Sequence, residues 1–136
     1  DALALEEAVR TDRERLLGPD HPDTIRTRAN LAATYSYLGR HHDALALQET
    51  VRTDRERLLG PDHPDTIRAR GNLAITYSYL GRHHDALALE EAVRTDRERL
   101  LGPNHPDTIT ARANLAITYN HLGRHDDADQ LRSKGS

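Results

Sequence analysis

The chain has 136 residues, of which 30% are charged, 36% hydrophobic and 4% aromatic, and it contains no Cys, Met, Trp or Phe. This composition supplies little material for one deep core, so it favours either disorder or thin layers that each bury a small area. The net charge of −3 gives no reason to bind nucleic acid or an anionic membrane, no run of 18 apolar residues could span a bilayer, and disulfides are excluded.

The sequence repeats with a period of 42 residues. Asp1, Asp43, Asp85 and Asp127 each begin a block that starts with Asp-Ala. We therefore predict one repeat array over residues 1–136, with blocks at 1–42, 43–84 and 85–126 and a partial block at 127–136. The first three blocks are nearly identical, which argues against an active site peculiar to one of them.

Each period contains two helical segments, called helix A and helix B. Helix A of the first block starts at Pro22 and stops before Gly39, and the next helix B stops before Gly60 and Pro61. Proline in a first turn and glycine after a last turn are the usual helix signals. No segment alternates with the period of a strand. The predicted helices cover approximately residues 1–17, 22–38, 43–59, 64–80, 85–101 and 106–122, with a short helix at 126–132.

The linker LGPDHPDTI joins helix B to the following helix A, and its acids and histidine could also suggest a reactive loop. A structural interpretation accounts for each residue. Gly18 ends helix B and Pro19 blocks its continuation. Asp20 or His21 then caps helix A, which starts at Pro22. The linker is therefore predicted to be a corner between helices.

The run Leu31-Ala32-x-x-Tyr35, followed by Leu38-Gly39-Arg40 and Ala44, resembles the tetratricopeptide repeat. The period of 42 and the linker resemble the subclass found in kinesin light chain and in many bacterial signalling proteins. The resemblance implies an all-α fold, an α-solenoid of stacked antiparallel helix pairs in a right-handed superhelix. It also implies a scaffold that binds proteins or peptides and is not an enzyme.

The sequence departs from the family pattern at three kinds of position. Ala32 replaces the glycine of the Leu-Gly pair, Gln48 replaces the aromatic residue after Ala44, and Arg28 stands at the tryptophan position. Because Gln48 and Arg55 fall within the stripe of helix B that should be buried, we expect Arg-to-Glu or Arg-to-Gln contacts in place of an aromatic pair. In the third block the expected partners are Arg112 and Glu90, and Arg112→Met should leave stability unchanged or higher.

Two opposite faces are predicted for helix A. Leu31, Tyr35 and Leu38 fall within an arc of roughly 60° and should pack against helix B. The opposite face should, by the resemblance, line the concave groove of the solenoid. Its asparagines could donate to and accept from a peptide backbone, or they could simply bond neighbouring helices; its arginines suit carboxylates. The predicted groove residues are Arg26, Asn30, Ala33, Tyr37, Arg68, Asn72, Ile75, Tyr79, Asn114, Ile117 and His121.

The repeated RHHDA segment contains metal-ligand side chains, but we predict no metal site. His41, His42 and Asp43 are adjacent in one turn and should not converge on one ion. Their copies in the next block should be about one helix-packing distance away, near 10 Å. No nucleophile has its own base and no glycine-rich phosphate loop is present, so no cofactor and no enzymatic activity are expected.

Both ends of the array raise the possibility of self-association. The chain starts on helix B, so Leu3 and Leu5 are expected to be exposed, and Asp129 replaces the first leucine of the last block. We predict a homo-oligomer formed by end-to-end stacking or by helix exchange.

The sequence thus predicts a cytoplasmic, bacterial segment of a larger array that binds an extended peptide. The alternative is a structural, self-associating spacer with no specific groove ligand. The partner protein or peptide is not identified by these residues.

Overall fold

The computed structural model describes residues 1–134, and this part of the chain consists of helices joined by short turns. The helices are α1 (Ala2–Leu17), α2 (Pro22–Tyr37), α3 (His41–Leu59), α4 (Pro64–Tyr79), α5 (His83–Leu101), α6 (Pro106–His121) and α7 (His125–Lys134). α2, α4 and α6 are A helices, whereas α1, α3, α5 and α7 are B helices. No strand occurs among the described residues, which confirms the predicted all-α class.

The described part of the chain forms two compact units, residues 1–69 and residues 70–134. In the first unit α1 packs against α2 and α2 packs against α3. In the second unit α5 packs against α6 and α6 packs against α7. Each unit therefore consists of antiparallel helices that contact their neighbours in sequence, as expected for an α-solenoid repeat. That residues 1–136 act as one array stays a prediction.

Three of the four B helices described start earlier than their sequence pattern predicted. α3 and α5 start at His41 and His83, two residues before the predicted positions, and α7 covers His125–Lys134 instead of 126–132. Gly39 has a φ of 77°, which lets the chain reverse direction within a single turn after α2. The next helix can therefore start at once.

The linker between helices B and A is a corner, and its histidine is the cap. His21 Nδ1 accepts a hydrogen bond from the backbone N–H of Asp23 at 3.1 Å. The copies at His63 and His105 make the same bond at 3.0 Å. Asp20, the other candidate for the cap, instead pairs with Arg57 of α3 at 2.7 Å.

The cap gives a first testable prediction. His105→Ala should lower the free energy of unfolding by about 1 kcal/mol, because it removes the acceptor for an N–H group of the first turn of α6. His105→Asn should retain most of this stability, since asparagine is a good capping residue. Urea unfolding at pH 8 measures both variants. Equal losses in the two variants would contradict the capping role.

The predicted core stripe of helix A is confirmed for Leu31 and Tyr35, which are 0% and 7% exposed. Leu38 does not belong to it: the residue is 51% exposed because it follows the last helical residue of α2 and no longer has helical backbone angles. On the helix B that follows, Leu58 is also exposed, whereas Leu45 is buried. Among the described helices, none combines the length and apolar character needed to cross a bilayer.

Candidate binding surface

The face of α2 opposite its core carries four predicted groove residues, and all four are exposed. Tyr37 is 90% exposed, which is unusual for so large a ring. Arg26 lies beside Asp23, with 3.3 Å between its guanidinium and the carboxylate, and both groups are accessible to water. The Asn30 side chain is exposed between Arg26 and Tyr37. This face therefore presents a cation, an amide and an aromatic ring in one row.

A cleft of about 590 Å³ lies between α1 and α2 in the first unit. Arg26, Asn30 and Ala33 line it from α2, while Leu5 and Val9 line it from α1. The structure thus brings three predicted groove residues together with one residue that was predicted for self-association. Both helices contribute apolar and polar side chains to the cleft.

The copies of this face on α4 and α6 are also largely exposed. Ile75 and Ile117 are 47% and 50% exposed, and Tyr79 is 70% exposed. His121 stacks on His83, with ring centroids 4.7 Å apart. The other copies are Arg68 and Asn72, which are exposed, and Asn114, which is half-buried. That all eleven residues form one groove stays a prediction.

The two leucines predicted to mediate self-association have different environments. Leu5 is 67% exposed. The exposure expected for Leu3 is wrong, because its side chain is half-buried and packs against the cluster of Leu31, Tyr35 and Ala44. Leu3 lies on the side of α1 that faces α2, so it belongs to the core of the first unit. Leu5 remains the accessible leucine of this pair.

The arginine at the family's tryptophan position contacts acids on the helices before and after it. Arg28 is 9% exposed, and its Nε donates to Glu14 of α1 at 2.9 Å. Its Nη1 donates to Asp54 of α3 and to the carbonyl oxygen of Pro19, each at 3.3 Å. Arg28 thus connects three consecutive helices of the first unit.

The equivalent arginine in the second unit corrects a prediction from the sequence. Arg112 pairs with Glu98 at 3.2 Å and donates to the carbonyl oxygen of Pro103 at 3.0 Å. The expected pair with Glu90 is wrong, because Glu90 accepts a hydrogen bond from the hydroxyl of Thr118 at 2.5 Å. Helix spacing alone could not show which acid the arginine would reach.

Glu90 is a buried acid, and the sequence did not predict a shifted pKa for its carboxyl group. It is 8% exposed, and burial raises its pKa to about 7, although the hydrogen bond from Thr118 opposes this shift. In the first unit the copy Glu6 accepts from Thr34 at 2.8 Å. A signal was present in the sequence, since a glutamate precedes a threonine by 28 positions in both places.

The RHHDA segment forms a corner between helices A and B. The guanidinium of Arg40 lies 4.7 Å from the centre of the Tyr35 ring, and its Nε donates to Asp43 at 2.8 Å. The same cation–π contact recurs at Arg82 and Arg124. Among residues 1–134 no group of three His, Asp or Glu side chains is placed to hold a metal ion. The segment therefore has a packing function at each corner.

Comparison with known proteins agrees with this geometry. The profile of the tetratricopeptide repeat family matches residues 1–53, 32–95 and 88–131. Among solved structures, a kinesin-light-chain-like protein of Podospora anserina with nearly identical TPR-like repeats is 26% identical, with a TM-score of 0.93 over 98% of this chain and 64% of that one. BtubC (BKLC) of P. vanneervenii is 19% identical, with a TM-score of 0.82 over 98% of this chain and 56% of that one.

No curated protein matches the chain. The chain spans less than two thirds of the length of the solved structures it resembles. The likeness to BtubC concerns the fold alone, whereas the family profile covers most of the sequence in overlapping matches. The chain belongs to the tetratricopeptide repeat family.

Proposed function

We propose that the chain is an interaction scaffold that binds an extended segment of a partner protein on the exposed face of its A helices. Arrays of this family generally bind proteins and are generally not catalytic. The supporting observation is the row on α2 in which Tyr37, 90% exposed, follows Arg26 and Asn30. Tyrosine and arginine are the residues enriched at the energetic centres of protein interfaces.

The row has the chemistry that an extended peptide requires. The Asn30 amide can donate to a peptide carbonyl and accept from a peptide N–H, whatever the peptide's side chains are. Arg26 can exchange its exposed contact with Asp23 for a carboxylate of the ligand, because an exposed ion pair contributes little stability. The Tyr37 ring offers an apolar surface to a hydrophobic side chain. The favoured ligand is therefore an extended peptide with an acidic group beside an apolar residue.

The experiment starts from a displayed library of random twelve-residue peptides, selected against the whole chain. Asn30→Ala should weaken the selected peptides about tenfold, since it removes two hydrogen bonds to their backbone. Thr50→Ala, on the exposed surface of α3, is the matched control and should leave binding unchanged. Fluorescence anisotropy measures the affinities. Equal affinity of the Asn30→Ala variant and the original chain would exclude this face.

The second candidate function is a self-associating spacer. One observation favours it: the apolar side chains Leu5 and Ile109 are 67% and 50% exposed although their copies elsewhere in the array are better covered. A spacer would tolerate Asn30→Ala and would fail on changes to Leu5. Sedimentation of the two variants separates the two functions.

A further inference from the structure

The exposed face of α6 differs from that of α2 in its charged groups. Arg26, which supplies a permanent cation on α2, is replaced two periods later by Thr110. Tyr37, at the other end of the α2 row, is replaced by His121, which is exposed. Ile117 lies about one turn before His121 and is 50% exposed. The α6 row therefore consists of neutral side chains and one group whose charge depends on pH.

His121 packs against a second imidazole, that of His83 at the start of α5. The two rings are almost parallel, with 7° between their planes and 4.7 Å between their centroids. Both residues belong to the second unit. The Nδ1 atom of His83 is buried, and no described residue makes a hydrogen bond to it, whereas the His121 side chain is accessible to water. The two rings of the stack thus have different surroundings.

These surroundings favour a proton on His121. Protonation of His83 would leave an N–H group on the buried Nδ1 atom without an acceptor, and an unpaired buried donor is costly. His83 is also the first residue of α5, whereas His121 is in the last turn of α6. A helix stabilises positive charge at its C-terminal end and disfavours it at its N-terminal end. The stack should therefore hold a single proton, on His121, against the face of a neutral His83 ring.

The permanent charges at the two corners beside the stack are already paired. Arg82, which precedes α5, pairs with Asp85 at 2.8 Å, and Arg124, which precedes α7, pairs with Asp127 at 2.8 Å. Each guanidinium also lies over a tyrosine ring. A carboxylate that approaches this end of α6 would therefore find its accessible cation at a protonated His121. The remaining histidines and acids of the two corners are exposed to water: His84, His125 and Asp126.

Two other charged side chains of α5 contact α6. Arg97 donates to the carbonyl oxygen of Asp107 at 3.4 Å, in the first turn of α6 and thus at the opposite end of this helix from His121. Glu90 accepts from Thr118, about one turn from His121. Burial raises the pKa of Glu90 to about 7, so its charge changes in the same pH range as that of a histidine. A pH experiment on His121 therefore needs a chain without this carboxyl group as a control.

We propose that protonated His121 binds a carboxylate of the peptide ligand, while Ile117 contacts the apolar residue beside that carboxylate. This inference rests on the proposed function and makes it depend on pH. At pH 8 a histidine is mainly neutral, and the α6 row offers only apolar and uncharged polar contacts. As the pH falls to 6, His121 takes up a proton from water and binds acidic peptides more tightly. Arg26 on α2 is charged at both pH values, so its contacts should not change.

The test selects the displayed library of twelve-residue peptides against the whole chain at pH 6, after removal of the peptides that bind the His121→Tyr chain. Tyrosine occupies the two earlier copies of this position, Tyr37 and Tyr79, so this variant should retain the fold. Binders without histidine are synthesised with an amidated and with a free C-terminus, which distinguishes a side-chain carboxylate from the terminal one. Calorimetry at pH 6, 7 and 8, with EDTA present, measures affinity and proton uptake.

The affinity should be about tenfold higher at pH 6 than at pH 8, because the protonated form of a histidine becomes a small minority over this range. Binding near pH 7 should be accompanied by uptake of a proton. His121→Arg should bind equally well at both pH values, since its cation is permanent. Glu90→Gln should retain the pH dependence of the original chain. Circular dichroism at both pH values checks the fold of each variant.

The outcomes separate this inference from the proposed function. Peptides that lose affinity for the Asn30→Ala chain but bind the original chain equally at pH 6 and pH 8 would overturn the role of His121 and leave the proposed function standing. A pH dependence that disappears in Glu90→Gln would assign the proton to Glu90 and would also overturn it. A library that yields Asn30-dependent peptides, but none that prefers the original chain over His121→Tyr, has the same meaning. A library that yields no peptide at all rejects both.

Discussion

Replacing Glu90 with glutamine should stabilise the chain by about 2 kcal/mol at pH 8 and by much less at pH 4. Glu90 is buried, and burial raises its pKa from 4.5 to about 7. At pH 8 the folded chain must therefore hold a carboxylate in a position that favours the neutral acid. Glutamine is neutral at every pH and can still accept the hydrogen bond of Thr118. The copy one period earlier is already a glutamine, Gln48.

The sign of the pH dependence follows from linkage. Because the folded pKa of Glu90 lies above its unfolded value, the folded state binds more protons between pH 4.5 and about 7. The stability that the protonated carboxyl contributes is fully present below pH 4.5 and is lost as the pH rises through about 7. The full rise of the pKa from 4.5 to about 7 corresponds to a change of roughly 3 kcal/mol in the free energy of unfolding, which is an upper value for a single side chain.

Urea unfolding of the original chain and of Glu90→Gln at intervals between pH 4 and pH 8 measures the effect. The two stability curves should meet at low pH and separate as the pH rises. Glu91→Gln is the matched control, since it removes a charge from the exposed side of the same helix and should change the pH profile little. Parallel curves for Glu90→Gln and the original chain would show that Glu90 titrates as an ordinary glutamate.

The repeat and its corners could be predicted from the sequence because they depend on local rules. A period of 42, a proline in the first turn and a glycine after the last turn locate the helices to within a few residues. The choice of His21 over Asp20 as the cap required the structure, since both residues can cap a helix. Leu38 was misplaced because the helical wheel was extended one residue beyond the end of α2.

The charged contacts could not be predicted, because they depend on helices that lie before and after the helix concerned. Glu90 and Arg112 stand on neighbouring helices, yet the arginine reaches Glu98 and the glutamate meets Thr118. The pairing depends on the position of each side chain along the helix axis relative to the neighbouring helix. The repeat period alone does not give this relative position. The exposure of the face around Asn30 was easier to predict than these contacts, because this face lies opposite the core stripe of the same helix.

The second large effect concerns Arg28. Arg28→Met should lower the free energy of unfolding by about 2–3 kcal/mol, because it removes donors from three acceptors while the side chain remains buried. The Asp54 side chain is 16% exposed, so water can solvate it only in part after the change. Methionine retains most of the apolar packing of the arginine stem, which isolates the loss of hydrogen bonds and charge.

A double-mutant cycle assigns the loss to its partners. Arg28→Met and Asp54→Ala should show a coupling of about 1–2 kcal/mol, since their groups are within 3.3 Å of each other in a poorly solvated position. Arg57→Met is the control at the same acid: Arg57 is half-exposed and also contacts Asp54, and its loss should cost much less. Thermal and urea unfolding of the four chains of the cycle provide the values.

The comparison of Arg28 with Arg112 tests what the second acid contributes. Both arginines are buried to a similar degree, and both donate to a glutamate and to a proline carbonyl oxygen. Within the described residues, Arg28 also donates to an aspartate of the following helix B, and Arg112 does not. Arg112→Met should therefore cost about 1 kcal/mol less than Arg28→Met. It should still lower stability, contrary to the expectation from the sequence, because the Arg112 guanidinium is bonded to Glu98 and to the carbonyl oxygen of Pro103. Equal losses would mean that burial of the guanidinium, rather than its bridge to Asp54, determines stability. A larger loss at Arg28 would show that its bridge to Asp54 ties α2 to α3.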